Sequence, residues 1–329
     1  MSKLYLHVGL PKTATSTIQN FLAQNDTHFS NVGWLYPKTA RQYVAHHPLG
    51  NFFRPDALDW VWDLDRTQVL TDLRSEIAAS GCDNVIMSTE ALATAPMIAD
   101  IKDYFSDFEV FIVFFLRRQD KWLESAYQEE LKNGPDKIDR PTYLETREHW
   151  FDYHQRLSNW AAVFGNDHIL VTTFEKGNND QPIEHQFLNV IGAPLPSDAV
   201  ITKSQNTSMN RDCLAFFMDM ATRRRIAPRF TMYANVLRMY SEKFPDPPEW
   251  KNAWPPSERR ALLEKFSASN ERVARDFCGS QTGQLFHEPV PKDDDPWEEY
   301  PGLTAQKAVH IGEFLTDNVL IRVQNFKKS

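Results

Sequence analysis

Two kinds of apolar pattern alternate along residues 1–210. Continuous apolar runs predict buried strands at 4–8, 84–88, 110–116 and 169–173. The run VFIVFFL at 110–116 has no polar alternation, which is typical of a parallel strand covered on both faces. Apolar residues at helical spacing predict helices at 58–79, 98–105, 153–164 and 184–191, with further helices after the first and third strands. The helix at 58–79 is expected to be either continuous or broken once. Because strands that alternate with helices form βαβ units, we expect a parallel sheet flanked by helices.

The pattern changes after residue 210 to one that is mostly helical. Helices are expected at 213–225, 230–244, 257–277 and 305–314, separated by proline-rich breaks. The sequence thus predicts an α/β core over residues 1–210. A helical extension over 211–329 is expected to pack on that core.

Composition and charge narrow the class of protein. The chain has 329 residues, of which 42% are apolar, so it can bury a large core. Its net charge of −8 argues against a generally basic surface for nucleic acid. Neither a signal-peptide pattern nor an apolar run long enough to span a bilayer is present, so we expect a cytoplasmic protein. The three cysteines are far apart and support neither a disulfide framework nor a zinc site, and the oligomeric state stays open.

The first 25 residues, MSKLYLHVGLPKTATSTIQNFLAQN, organise the chain. An apolar strand is stopped by Gly9 and Pro11, and a helical pattern of Ile18, Phe21 and Leu22 follows. A strand, a tight loop and a helix in this order aim backbone N–H groups and the positive end of the helix dipole at one point. The loop residues that would surround a phosphate there are Pro11, Lys12, Thr13, Ala14, Thr15, Ser16 and Thr17. The expected fold class is therefore α/β with a P-loop-like parallel sheet.

The loop differs from the ordinary nucleoside-triphosphate loop, which needs Gly-Lys-Ser/Thr. Instead, PKTATST resembles the 5′-phosphosulfate loop of sulfotransferases, P-K-[ST]-G-[ST]-[ST]. Arg117 directly follows VFIVFFL and Ser125 comes eight residues later, and this pair resembles the 3′-phosphate site of the same family. The resemblance implies that the protein uses 3′-phosphoadenosine 5′-phosphosulfate (PAPS) as co-substrate, without a metal. A guanidinium suits a phosphate dianion because its fork donates two parallel hydrogen bonds.

Weaker similarities extend the match over about residues 3–210. Residues 169–175 and 187–192 resemble a strand and a helix end of the family, and Asn206 and Ser208 resemble an Asn-x-Ser found in bacterial carbohydrate-type members. The helical tail resembles that of one bacterial subgroup. Two residues depart from the family pattern. Ala14 replaces the usual glycine, at a cost of about 1 kcal/mol if φ must be positive, and Thr17 replaces an aromatic residue that stacks near the adenine.

The resemblance implies sulfuryl transfer to a hydroxyl of a carbohydrate or another small polar acceptor. Lys12 would stabilise the charge that develops on the leaving group. The acceptor hydroxyl needs a general base, and two candidates stay open. Glu90 follows the strand at 84–88, in the position of the catalytic histidine of cytosolic sulfotransferases, and we prefer it. His46 or His47 lies in a region that supplies the base in some heparan-type enzymes.

Two alternatives have different chemistry. A phosphotransferase is disfavoured because Gly-Lys-Ser/Thr and a convincing acidic magnesium site are missing from the sequence. A catalytically silent nucleotide-binding module is favoured by Ala14 alone. The acceptor is not determined, although some aromatic side chains are expected to stack on sugar faces in a substrate groove. The candidates are Trp34, Tyr36, Trp60, Trp62, Trp250 and Trp254.

Overall fold

A five-stranded parallel sheet forms the centre of the computed structural model, in the order β2-β3-β1-β4-β5. The structure describes residues 1–56, 58–133, 139–175, 181–201, 208–224 and 230–326. The strands are β1 (Lys3–His7), β2 (Trp34–Leu35), β3 (Asn84–Ser88), β4 (Glu109–Leu116) and β5 (Ile169–Thr173). All four strands expected from the apolar runs are present, and the two-residue strand β2 is added at one edge of the sheet.

The central strands are buried on both faces. β1 lies between β3 and β4, so that Leu6 is opposite Met87 on one side and Ile112 on the other. Along β4, Phe114 belongs to one hydrophobic cluster and Phe115 to a second one on the opposite face, and both side chains are fully buried. The prediction from the unbroken run VFIVFFL is therefore confirmed.

Helices cover both faces of this sheet, which confirms the α/β class. The first nine are α1 (Thr15–Gln24), α2 (Asp26–Asn31), α3 (Leu49–Phe52), α4 (Arg66–Ser80), α5 (Ile98–Tyr104), α6 (Gln119–Asn133), α7 (Arg140–Arg147), α8 (Tyr153–Phe164) and α9 (Ile183–Ile191). The region after residue 210 is mostly helical, as expected, with α10 (Arg211–Arg224), α11 (Phe230–Lys243), α12 (Pro256–Lys265), α13 (Ser267–Asp276) and α14 (Ala305–Phe326).

Three helix boundaries differ from the prediction. Residues 58–65 are not helical, because the Asp65 side chain accepts the Gln68 amide at 2.7 Å and begins α4 there. The expected helix at 257–277 is two helices, interrupted at Phe266. The last helix continues twelve residues beyond Phe314, to Phe326. Apolar periodicity alone did not mark these ends, since residues 58–65 also carry apolar side chains at helical spacing.

The chain forms two compact units, each assembled from several segments. The first comprises Met1–Gln119, Trp150–Ser204 and Lys265–Pro289, and it contains the whole sheet. The second comprises Asp120–His149, Gln205–Glu264 and Val290–Ser329, and its core is built around Cys213, Leu237 and Ile311. These segments do not follow a single boundary at residue 210. Among the described residues, no helix is long and apolar enough to cross a lipid bilayer.

Candidate functional site

The loop between β1 and α1 has an unusual backbone. Lys12 and Ala14 have φ angles of 68° and 63°, in the left-handed region that favours glycine. Ala14 is the N-cap of α1, and no side chain caps that helix. The φ angle of Ala14 is thus positive, as considered from the sequence, and this conformation costs about 1 kcal/mol for alanine. The loop thus turns sharply before a helix whose N-terminus has no side-chain cap.

Close packing holds the same loop in place. Gly9 has φ 38°, and a Cβ there would lie 2.6 Å from the Cγ2 atom of Thr15, so a larger residue does not fit. The Thr13 side chain is fully buried, and its hydroxyl donates to the Leu10 carbonyl at 2.6 Å. Thr13 therefore braces the loop, whereas Ser16 is exposed at the start of α1.

Arg117 at the end of β4 reaches the loop. Its Nη1 atom donates to the Lys12 carbonyl at 2.9 Å. Its guanidinium lies 5.4 Å from the centre of the Phe174 ring, and the Tyr153 hydroxyl donates to its backbone carbonyl at 2.5 Å. Two parts of the predicted donor site, which are 105 residues apart in sequence, are thus in direct contact.

Glu90 lies on the other side of the loop, directly after β3. The Thr15 hydroxyl donates to its Oε2 atom at 2.5 Å. Glu90 begins a short 3₁₀ turn (Glu90–Leu92), and the preceding Thr89 caps this turn by accepting the Ala91 amide at 3.2 Å. The carboxyl ends of β1, β3 and β4 therefore bring the loop, Glu90 and Arg117 to one edge of the sheet, where ligands bind in open α/β folds.

The two adjacent histidines have different environments. His46 is fully buried, with its Nε2 atom 3.0 Å from the Pro37 carbonyl and its Nδ1 atom accepting the Ser88 amide at 3.1 Å. Since both nitrogens are engaged, the ring is the neutral tautomer that carries its proton on Nε2. Burial lowers the pKa of His46 to about 3. His46 therefore attaches its loop to β3, which leaves it poorly suited to proton transfer.

His47 is half-buried and lies beside Thr89, the residue that precedes Glu90. Its Nδ1 atom lies 3.2 Å from the Thr89 hydroxyl, and its ring meets the Trp60 ring edge-on with 4.9 Å between the centroids. Burial lowers the pKa of His47, and the negative charge of Glu90 acts in the opposite direction. The two open candidates for the base, Glu90 and His47, are thus neighbours.

The remaining predicted site residues are spread over both units. Pro11 and Thr17 are half-buried in the first unit. Ser125 is half-buried on α6 and Ser208 is exposed, and both belong to the second unit. Asn206 lies outside the described residues. No group of three or more His, Cys, Asp or Glu side chains arranged to hold a metal ion occurs among the residues that the structure describes.

Sequence reasoning missed a buried polar group beneath the loop. His7 ends β1, and its Nδ1 atom lies 2.9 Å from the Ser88 hydroxyl, which also accepts from Gln19 at 3.2 Å. All three side chains are buried, and burial lowers the pKa of His7 to about 3. The only signal in the sequence was a histidine at the end of an apolar strand. This group ties β1, β3 and α1 together under the loop.

Sequence reasoning also missed the structural role of Glu175. Its carboxylate is buried after β5 and accepts the backbone amides of His287 and Glu288 at 2.8–3.0 Å. The buried guanidinium of Arg118 donates to the carbonyls of Glu288 and Pro289 at 2.7 and 2.9 Å. Segment 287–289 is therefore anchored by Arg118 and Glu175, which directly follow Arg117 and Phe174 in the sequence.

Comparison with known proteins gives distant likenesses. No model of a known protein family matches the chain. An uncharacterized protein from Archaeoglobus fulgidus is 27% identical over 177 residues, covering 52% of this chain and 46% of the relative. The match thus spans less than half the length of that relative.

Two solved structures are similar over most of the chain. A sulfotransferase from Alicyclobacillus acidocaldarius has a TM-score of 0.43 and 15% identity, covering 77% of this chain and 100% of its own. A sulfotransferase domain from the curacin biosynthetic pathway has a TM-score of 0.37 and 12% identity, covering 81% and 97%. Neither likeness identifies the family of this chain.

Proposed function

We propose that this protein is a sulfotransferase that moves a sulfuryl group from PAPS to an acceptor hydroxyl. The observation that carries the proposal is the hydrogen bond from Arg117 Nη1 to the Lys12 carbonyl. It joins the two motifs on which the resemblance to sulfotransferases rests, PKTATST and the arginine after VFIVFFL. Two motifs that meet in space support a shared ligand far better than either motif alone.

The donor half of the proposed site binds two anionic groups. The left-handed residues Lys12 and Ala14 and the uncapped start of α1 suit a 5′-phosphosulfate, because a helix N-terminus offers N–H donors and a positive dipole end. Arg117 suits the 3′-phosphate through its guanidinium fork. The donor-binding roles of Ser125, Asn206 and Ser208 rest on the resemblance alone.

The reaction is an in-line displacement at sulfur. The acceptor oxygen forms a new S–O bond while the S–O bond to the bridging oxygen of the donor breaks, and the acceptor proton goes to the base. By analogy with phosphoryl transfer, catalysis consists mainly of positioning and of stabilising the charge on the leaving oxygen. In this proposal Lys12 supplies that stabilisation and Glu90 accepts the proton.

Glu90 suits the role of base because Thr15 orients it. The hydrogen bond from Thr15 fixes one carboxylate oxygen next to the loop and leaves the other oxygen available to accept. His47, beside Glu90, is the second candidate. His46 has both ring nitrogens engaged, so the proposal gives it a structural role.

Calorimetric titration tests the donor assignment. The protein is titrated with adenosine 3′,5′-bisphosphate and, separately, with ATP in the presence and absence of Mg²⁺. A clear preference for the bisphosphate, together with transfer of labelled sulfate from PAPS to at least one hydroxyl acceptor, is expected. Magnesium-dependent binding of ATP in preference to the bisphosphate would overturn the proposal in favour of a phosphotransferase.

A further inference from the structure

Three aromatic side chains are exposed beside the proposed base. Tyr43, Trp60 and Trp62 keep 81%, 55% and 47% of their surface exposed, although large aromatic residues usually bury most of theirs. The Tyr43 and Trp62 rings lie 5.9 Å apart at an angle of 53°, and Trp60 contacts the edge of His47. We call Tyr43, Trp60 and Trp62 the aromatic platform.

The platform is held by one buried side chain. The Gln42 amide donates to the Trp60 carbonyl at 2.9 Å, and its oxygen accepts the Trp62 amide at 2.9 Å. Gln42 also pairs with Ala45 through two backbone hydrogen bonds, which makes Tyr43 the first residue of a two-residue turn. A single glutamine thus fixes the backbone segments that carry the three rings relative to one another. Rings that are preorganised in this way lose little freedom when a ligand binds.

Tyr43 has a backbone conformation that its side chain disfavours. Its φ of 59° at the first central position of a two-residue turn matches a type II′ turn, in which glycine is normal. Strained residues of this kind persist where the surrounding structure holds them, and they concentrate at binding sites. The strained conformation of Tyr43 does not bury its ring. A role of the ring in binding a ligand would explain both its exposure and its conformation.

The surrounding charge indicates which ligand fits. Segment 56–65, which carries both tryptophans, contains Asp56, Asp59, Asp63 and Asp65, and its basic neighbours Arg54 and Arg66 lie at its two ends. Asp59 and Asp63, the direct neighbours of the two tryptophans, are exposed. Carboxylates accept hydrogen bonds from sugar hydroxyls but repel anions. A pyranose has an apolar face of C–H groups that packs on an aromatic ring, with hydroxyls around its rim.

We infer that the aromatic platform binds an uncharged oligosaccharide, and that this is the acceptor of the reaction. Trp60 contacts His47, and His47 lies 3.2 Å from the hydroxyl of Thr89, the residue before Glu90, so the platform adjoins the segment that carries the proposed base. The acceptor role rests on the proposed sulfotransferase function, whereas the binding of the glycan does not. The exposed carboxylates of Asp59 and Asp63 disfavour a sulfated or uronate-rich glycan.

The test is direct binding, measured by calorimetry and tryptophan fluorescence without any donor. Neutral hexasaccharides of glucose, xylose and N-acetylglucosamine are compared with a hexamer of galacturonate. At least one neutral sugar should bind, and about tenfold more tightly than the uronate. Failure of every neutral sugar to bind, or tighter binding of the uronate, would overturn the inference. Binding of a neutral sugar that is never sulfated would overturn its role as acceptor, whereas failure to bind adenosine 3′,5′-bisphosphate or to transfer sulfate to any hydroxyl would contradict the proposed function.

Matched variants separate binding from folding. Tyr43→Gly removes the ring and relieves the turn, so it should weaken glycan binding about tenfold while the melting temperature stays the same or rises. Tyr43→Phe keeps the ring and should keep the affinity within about twofold. Asp59→Asn combined with Asp63→Asn should reduce the preference for the neutral sugar. Unchanged affinity in Tyr43→Gly would show that the ring does not contact the ligand.

Discussion

The hydroxyl of Thr15 donates a hydrogen bond to the Glu90 carboxylate across 2.5 Å. This bond connects Thr15, the first residue of α1, with Glu90, the first residue of the 3₁₀ turn that follows β3. Because the donor loop immediately precedes Thr15, this bond holds a potential base beside the place proposed for the sulfuryl group. The choice between Glu90 and His47 can therefore be tested with single substitutions.

Glu90→Gln should lower turnover by about a hundredfold or more, because the amide can accept a hydrogen bond from Thr15 but cannot take up the acceptor proton. Donor affinity should stay unchanged in the same variant. The measurement is the initial rate of sulfate transfer together with calorimetric titration of adenosine 3′,5′-bisphosphate. His47→Asn is the matched variant and should cost much less. The reverse order of effects would assign the base to His47 and leave Glu90 an orienting role.

Lys12→Ala should reduce sulfate transfer by at least about a hundredfold, which is typical for loss of one preorganised group that stabilises charge in the transition state. The fold should persist, since the backbone carbonyl that accepts the Arg117 hydrogen bond is kept in the variant. Circular dichroism and the melting temperature check the fold alongside the rate. A nearly normal rate would remove Lys12 from the mechanism.

Arg117→Ala should weaken binding of adenosine 3′,5′-bisphosphate much more than binding of adenosine 5′-phosphate. The guanidinium fork is expected to contact only the 3′-phosphate. Loss of its hydrogen bond to the Lys12 carbonyl affects both nucleotides, so the ratio of the two affinities is the informative quantity. Equal losses for both nucleotides would mean that Arg117 supports the loop but does not bind the 3′-phosphate.

Ala14→Gly should stabilise the protein by up to about 1 kcal/mol, because φ 63° is strained for alanine and free of strain for glycine. The higher entropy of glycine in the unfolded chain offsets part of this gain. Urea denaturation measures the free energy of unfolding. Gly81, which already has φ 68° at the end of α4, offers the opposite change, and Gly81→Ala should destabilise. A destabilised Ala14→Gly variant would show that the Ala14 methyl group has a packing role.

Acid should destabilise the protein below about pH 6.5 through His7 and His46. Burial lowers the pKa of each to about 3 from the ordinary value of 6.5, so between these values protons bind the unfolded chain and not the folded one. Stability therefore falls as the pH decreases through this range, by about 1.4 kcal/mol per pH unit for each histidine. Urea midpoints at pH 8 and pH 5 measure the effect. His46→Gln should show a smaller difference between the midpoints at pH 8 and pH 5. Equal midpoints for the native protein would contradict the lowered pKa values of His7 and His46.

The sequence by itself determined the elements whose signal is local. Continuous apolar runs marked β1, β3, β4 and β5 because a strand buried on both faces needs apolar residues at every position. The strand, loop and helix at the N-terminus were likewise readable, since Gly9 and Pro11 stop a strand regardless of the rest of the chain. The start of α4 was predicted eight residues too early. Periodicity shows which residues are apolar, but it does not show that the Asp65 side chain caps the helix and so determines where it begins.

Only the tertiary structure decided which side chains meet and which are exposed. Adjacent histidines differ because His46 is buried against β3 while His47 is half-buried beside Thr89, and this depends on how a loop packs against β3. Trp34, Tyr36 and Trp254 are buried while Trp60 and Trp62 are exposed, although all five looked alike as candidates. Contacts such as Thr15 with Glu90 join residues 75 positions apart. Their formation depends on chain packing, which no local pattern of residues encodes.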